Sequence, residues 1–241
     1  MILDCSSYES VKSSLCDAFH TTEDVMISVL KSVDNNGTID YYTLEQNVEL
    51  AVREKLGEPD SELEVLWFHG TRVEDHNSFY EHGVLTKTLV KEQLVSRLSS
   101  LASGIEKTGK HPFSLSMSGK NGDHDEGPFA FLIKTVAVQA PGSNHNYTDA
   151  PELVEDIAGT FVGQNYQELV SRFQEITQPY IVSFTAKAKG YEAFKALFFL
   201  KLMLDGESEL EAGDTANTFF NSNAEVILPH RIKSVENLKN V

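Results

Sequence analysis

Val65-Leu66-Trp67-Phe68-His69-Gly70-Thr71-Arg72 is the stretch on which the fold turns. Its first four residues are wholly apolar and favour extended backbone, which predicts a buried strand. The strand runs straight into His-Gly-Thr and so places polar residues at a sheet rim, where sites form. Gly70 lacks a Cβ and lets a flat ligand approach the backbone. A strand end with a turn glycine accounts for the same residues without any ligand, so the surrounding sequence has to decide.

Upstream, residues 1–60 read as a helical region. Val11, Leu15, Ala18 and Phe19 recur at helical spacing, as do Val25, Val29 and Leu30, and then Leu44, Val48, Val52 and Leu56. Thr22 followed by Glu23 and Asp24 suits a helix start, and Gly57 with Pro59 a helix stop. Asp34-Asn35-Asn36-Gly37 resembles part of a calcium loop. With Gly37 at the sixth position, however, Ser32 and Thr43 occupy the first and twelfth, where carboxylates are required. The reading there is a polar turn.

Downstream, a helix over Asn77 to His82 is expected to stop at Gly83, and another to span residues 88–104. Phe113 to Ser118 alternates with period two and predicts a half-buried strand, followed by a polar loop over 119–127. Phe129 to Val138 reads as a long apolar strand. Asp149 is expected to cap a helix through Phe161, and a second helix to run from Tyr166 to Ile176. Pro179 to Phe184 reads as strand or linker, Tyr191 to Leu204 as a buried helix, and Asp205 to Asp214 as a solvated acidic loop. Ala224 to Pro229 is expected to form a terminal strand, with a further one at Ile232 to Val235.

The chain of 241 residues carries 36 Asp and Glu against 20 Lys and Arg, a net charge of −16. Such a balance argues against a general binder of nucleic acid or anionic membrane. The charge is uneven: residues 86–120 hold six cations against Glu92 and Glu106, a local +4 within a remainder of −20. That segment reads either as a solvated helix face or as a cationic rim for phosphate. Cys5 and Cys16 form no CxxC pair, and free thiols are favoured over a disulfide. The opening residues lack a basic segment followed by a long apolar one, and the most apolar window, Phe194 to Leu204, falls short of the roughly 20 residues of a membrane span. A cytoplasmic protein without membrane association is expected. The eight histidines show no metal-ligand spacing, so no metal is expected, and no nucleotide-binding glycine loop or nucleophile elbow occurs.

Three segments in order give the chain a resemblance to the ADP-ribosyltransferase superfamily. Leu66 to Arg72 (LWFHGTR), followed by a short helix and His82 to Leu85 (HGVL), resembles the first motif of that family. Pro112 to Ser118 (PFSLSMS) resembles its Ser-x-Ser strand, and Asn223 to Pro229 (NAEVILP) resembles the last strand, which carries the catalytic glutamate. The resemblance implies an α+β fold with a split β-sheet over 61–241, a helical region at 1–60 and a helical insertion at about 143–215. It implies NAD in a cleft between two small sheets, as a substrate cofactor. His69 would bond ribose hydroxyls, and Gly70 would hold the nicotinamide carboxamide through its backbone. Thr71 would support that pocket, with Arg72, Ser114 and Ser116 also at the cofactor. Glu225 would bind the 2′-hydroxyl and stabilise the cationic sugar. Breaking the nicotinamide–ribose bond develops an oxocarbenium-like centre, and a preorganised charge beside such a centre is worth about 3–4 kcal/mol.

The sequence departs from the family's patterns at several points. The second acid of arginine-specific members is Asn223 here, which argues against arginine as the modified group. The tyrosine that stacks on nicotinamide in the poly-ADP-ribose branch has Tyr80, Tyr147 or Phe113 as candidates. Ser114 and Ser116 have a plainer reading as the solvent face of a strand. Taken together, the resemblance implies transfer of one ADP-ribose from NAD to a macromolecular acceptor, protein or nucleic acid, with release of nicotinamide. The size suits a bacterial or phage toxin or effector of a toxin–antitoxin kind, with an antitoxin or other partner protein. Two alternatives stand beside it: an inactive binding module of the same fold, and a helical interaction protein in which His-Gly-Thr is only a turn.

Overall fold

The computed structural model describes residues 1–34, 40–110, 122 and 125–240. The chain is mixed α and β. Its strands are β1 (Ile2–Leu3), β2 (Glu64–Val73), β3 (Phe129–Phe131), β4 (Gln178–Lys187), β5 (Phe219–Asn221) and β6 (Ile232–Asn237). Its helices are α1 (Tyr8–Ala18), α2 (Glu23–Ser32), α3 (Tyr41–Lys55), α4 (Ser78–His82) and α5 (Lys87–Leu101), followed by α6 (Lys134–Gln139), α7 (Glu152–Val162), α8 (Tyr166–Ile176), α9 (Tyr191–Leu204) and α10 (Glu209–Ala216). Neighbouring strands follow the order β5-β3-β2-β4-β6, with β1 parallel to the start of β2.

Two compact units divide the chain. The first gathers Met1–Phe68, Phe131–Ser143 and Thr185–Phe219. Its core is built on α9, whose apolar residues surround the axis, so the helix is buried on nearly every face. Phe198 and Phe199 are fully enclosed, and α1, α2 and α3 pack on this helix. Phe194 meets Phe19 edge-on at 6.0 Å, and the Arg53 guanidinium lies 4.2 Å from the Phe194 ring. The N-terminal helices therefore share a core with a helix that lies far along the chain. The chain is not compacted along the expected division at residue 60.

The second unit gathers His69–Ala130, Asn144–Phe184 and Phe220–Val241. Leu98 of α5 joins Val154, Ile157, Ala158, Leu169 and Phe173 of α7 and α8 in one apolar cluster. Strands β4 and β6 pair antiparallel from Tyr180 with Asn237 to Phe184 with Ile232. The segment expected as a helical insertion thus contributes β4, a strand flanked by two others, and is part of the fold itself.

Four local expectations are corrected. Strand β2 does not stop at Phe68 but continues to Val73, because β3 and β4 lie on its two edges and His69 to Arg72 stay extended between them. The apolar run from Phe129 is a strand only to Phe131. Asn217 Oδ1 accepts the N–H groups of Leu132 and Ile133 at 3.1 and 3.2 Å, and the chain then coils into α6. The acidic stretch at 205–214 contains α10, opened by a reciprocal capping box between Ser208 and Glu211. Ala224 to Pro229 is not a strand. Only Ile227 pairs, in a single bridge with Val84, and Pro229 opens a 3₁₀ turn. The expected strand over Phe113 to Ser118 lies outside the described residues. Both cysteines are free, and burial pushes the Cys5 thiol pKa well up.

Candidate active site

A cleft of about 590 Å³ opens within the second unit, and His69, Gly70, Thr71 and Arg72 line it. Its size falls within the ordinary range of small-molecule and cofactor sites. The His-Gly-Thr-Arg end of β2, which the sequence singled out, is one wall. The remaining walls are α4, α5, the turn around Gly127, and the start of α7.

His69 is half-buried, and its Nδ1 lies 2.7 Å from the Phe129 carbonyl. A carbonyl only accepts, so Nδ1 carries the proton and the neutral ring presents Nε2 as an acceptor. Loss of water lowers the His69 pKa, with the Phe129 bond opposing in part. The folded chain therefore holds fewer protons at this ring than the unfolded chain does. Stability is expected to fall as pH drops below about 6.5, where the unfolded imidazole protonates first, and to level off below the depressed folded value. Equilibrium denaturation from about pH 8 to about pH 5 checks this. The His69→Asn chain should lose that part of the slope.

Arg72 lines the cleft, and its guanidinium is held by protein acceptors. Its Nε–H donates to Thr177 Oγ1, and its terminal nitrogens donate to the carbonyls of Thr148, Gln174 and Thr177 at 2.9–3.1 Å. The guanidinium is committed to protein acceptors and fastens β2 to the segments around α8. Thr71 is buried in the same wall.

Two of the six cations of the expected rim, Lys87 and Arg97, pair with acids. Arg97 forms a two-pronged pair with Glu74 at 2.7 and 2.5 Å, Lys87 lies 3.5 Å from Glu126, and Lys107 donates to the Thr160 carbonyl. Glu126 also accepts the Thr88 N–H at 3.0 Å, at the open start of α5. Burial alone would raise the Glu126 pKa, but Thr88 and Lys87 outweigh it and hold this carboxyl below its ordinary range. Among the described residues the lining carries three cations against six carboxylates, a formal −3.

Tyr147 lines the cleft, whereas Tyr80 is half exposed and lies outside the lining. The Tyr147 ring stands edge-on to His145 at 4.8 Å, and His145 Nε2 donates to the Ala150 carbonyl at 2.6 Å. Burial first, and the charge of Glu152 second, raise the Tyr147 phenol pKa, so the hydroxyl stays protonated. Ser114, Ser116 and Phe113 lie outside the described residues.

Glu225 is exposed and does not line the cleft, yet its segment is tied to the lining at two points. Ser222 Oγ donates to the Gly127 carbonyl at 2.5 Å, and the Ser222 N–H to the Pro128 carbonyl at 3.2 Å. Val84 and Ile227 exchange both backbone bonds, at 2.9 and 3.0 Å. Gly83 makes the second tie feasible. Its φ is +77°, and a Cβ there would sit 1.8 Å from the Ile227 carbonyl oxygen. Between the ties, Asn223 and Ala224 both adopt positive φ, at +53° and +70°. Such strain in a non-glycine pair persists only where the surroundings impose it.

Of the residues singled out in the sequence, His69, Gly70, Thr71, Arg72 and Tyr147 line the cleft. Sequence reasoning missed Glu74 and Glu126, whose pairing with cations over 20 residues away has no local signal, and Ser222, whose partner is 95 residues distant. No group of three His, Cys, Asp or Glu is placed to hold a metal among the described residues, and no helix among them is long and apolar enough to cross a membrane. Comparison with models of known families, with curated proteins and with solved structures finds no match.

Proposed function

We propose that the chain is an NAD-dependent ADP-ribosyltransferase that releases nicotinamide and passes ADP-ribose to a macromolecule. The observation that carries this reading is the cleft floored by His69, Gly70 and Thr71, with the Glu225 segment tied to its edge at Gly127 and Val84. In this reading His69 Nε2 accepts from a ribose hydroxyl and the Gly70 backbone holds the carboxamide. Tyr147 offers the aromatic face against which nicotinamide lies. Glu225 closes on the 2′-hydroxyl and stabilises the oxocarbenium centre as the bond breaks. Nicotinamide leaves as a neutral molecule, so the site needs no strong general acid.

The chain's net charge of −16 favours a protein acceptor over a nucleic acid, since a long phosphate backbone would meet like charge beyond the cleft. An effector or toxin role with a neutralising partner protein goes with this activity and is part of the same proposal. Incubation with NAD labelled in its adenylate part and a cell extract tests the reading: label should become acid-insoluble and be released by protease but not by nuclease. No nicotinamide release and no NAD binding by calorimetry would sink it.

One observation favours a second reading. Glu225 is exposed and outside the lining, as in a module that binds a nucleotide without cleaving it. Binding of NAD in calorimetry, with no nicotinamide formed, would select that reading.

A further inference from the structure

We infer that Ser222 is a positioning residue for Glu225, and this rests on the transferase reading above. Ser222 is buried and fixed three ways. Its hydroxyl donates to the Gly127 carbonyl, its N–H donates to the Pro128 carbonyl, and its own carbonyl accepts the Glu225 N–H at 3.3 Å. Gly127 and Pro128 are themselves cleft lining. The hydroxyl bond therefore joins the wall that would hold the substrate to the turn that carries the carboxylate. The two residues in between, Asn223 and Ala224, adopt positive φ, an arrangement that relaxes once its ends are released. The Asn223 N–H is held in turn by Asn221 Oδ1 at 2.9 Å, so the N–H groups of Ser222 and Asn223 both have a fixed acceptor. On the far side the bridge of Val84 with Ile227 anchors the turn again. The placement of Glu225 follows from this backbone frame.

Losing the Ser222 hydroxyl removes one anchor of the Glu225 turn and changes no side chain of the lining. The carboxylate then samples positions around the reacting carbon, and a displacement near 1 Å at such a centre costs up to about 100-fold in rate. Initial rates of nicotinamide release are to be measured across NAD concentrations for wild type, Ser222→Ala and Ser222→Thr, with thermal midpoints recorded alongside. Ser222→Ala should lower kcat by about 10- to 100-fold and leave KM within about twofold, since every lining side chain is kept. Ser222→Thr keeps the hydroxyl and should recover most of the rate. Wild-type kcat in Ser222→Ala would overturn the inference while leaving the transferase reading standing. So would a loss that tracks the thermal midpoint and that Ser222→Thr fails to recover, because the role is then structural only. A wild-type chain that releases no nicotinamide overturns the transferase reading, and the inference with it.

Discussion

On the proposed transferase reading, Glu225→Gln is expected to lower nicotinamide release by about 10²- to 10³-fold, with KM for NAD little changed. Glutamine matches glutamate in shape and can still bond a ribose hydroxyl, so ground-state binding survives. What disappears is the negative charge beside the developing oxocarbenium ion, an interaction realised only as the bond breaks. On the same reading the charge is preorganised by the backbone frame from Ser222 to Ile227, and the residue two positions before it is Asn223, not a second acid. Steady-state rates with a coupled nicotinamide assay check this. Equal rates for Glu225→Gln and wild type would remove Glu225 from the chemistry, and the exposure of its side chain would then be its whole description.

Arg72→Ala is expected to cost about 2–4 kcal/mol of stability, at roughly 1–3 kcal/mol for each buried acceptor left without a donor. The guanidinium serves three carbonyls and the Thr177 hydroxyl, and Thr148 and Thr177 are both buried. Water reaches such positions poorly, and an ammonium group cannot reproduce the planar fork. Arg72→Lys should therefore recover only part of the loss. Urea denaturation of the three chains measures it as a shift in midpoint at constant slope. The experiment also separates two roles. A cofactor-binding arginine would raise KM for NAD at unchanged stability, whereas a fastening arginine lowers stability first.

The fold is legible where pattern and period agree. The helical spacing of Val11, Leu15 and Ala18, and the unbroken apolar surface of 191–204, mark helices that the folded chain contains. It is illegible where one pattern serves two structures. Phe129 to Val138 is largely apolar, and such a run marks burial without choosing strand or helix. At 205–214 the abundance of acids hides a helix start that Ser208 and Glu211 spell out by their spacing. In the site, His69 to Thr71 stand out because a polar motif follows a core strand. The pairing of two rim cations does not, because Arg97 and Glu74, or Lys87 and Glu126, meet only through the fold. A charge sum over consecutive residues cannot include partners that arrive from elsewhere in the chain.

Helix α5 is fifteen residues long, yet Leu98 is its one buried residue, while Val90 and Leu94 border the cleft. Leu94 and Leu101 pack beside Leu98 on the α7–α8 cluster without being fully buried, and Val90 faces the cleft. A ligand that fills the cleft supplies a further partner and completes the burial of this apolar flank. Binding should then carry a negative heat-capacity change. It should also slow amide hydrogen exchange along α5 more than in α7 or α8, which already have their cluster.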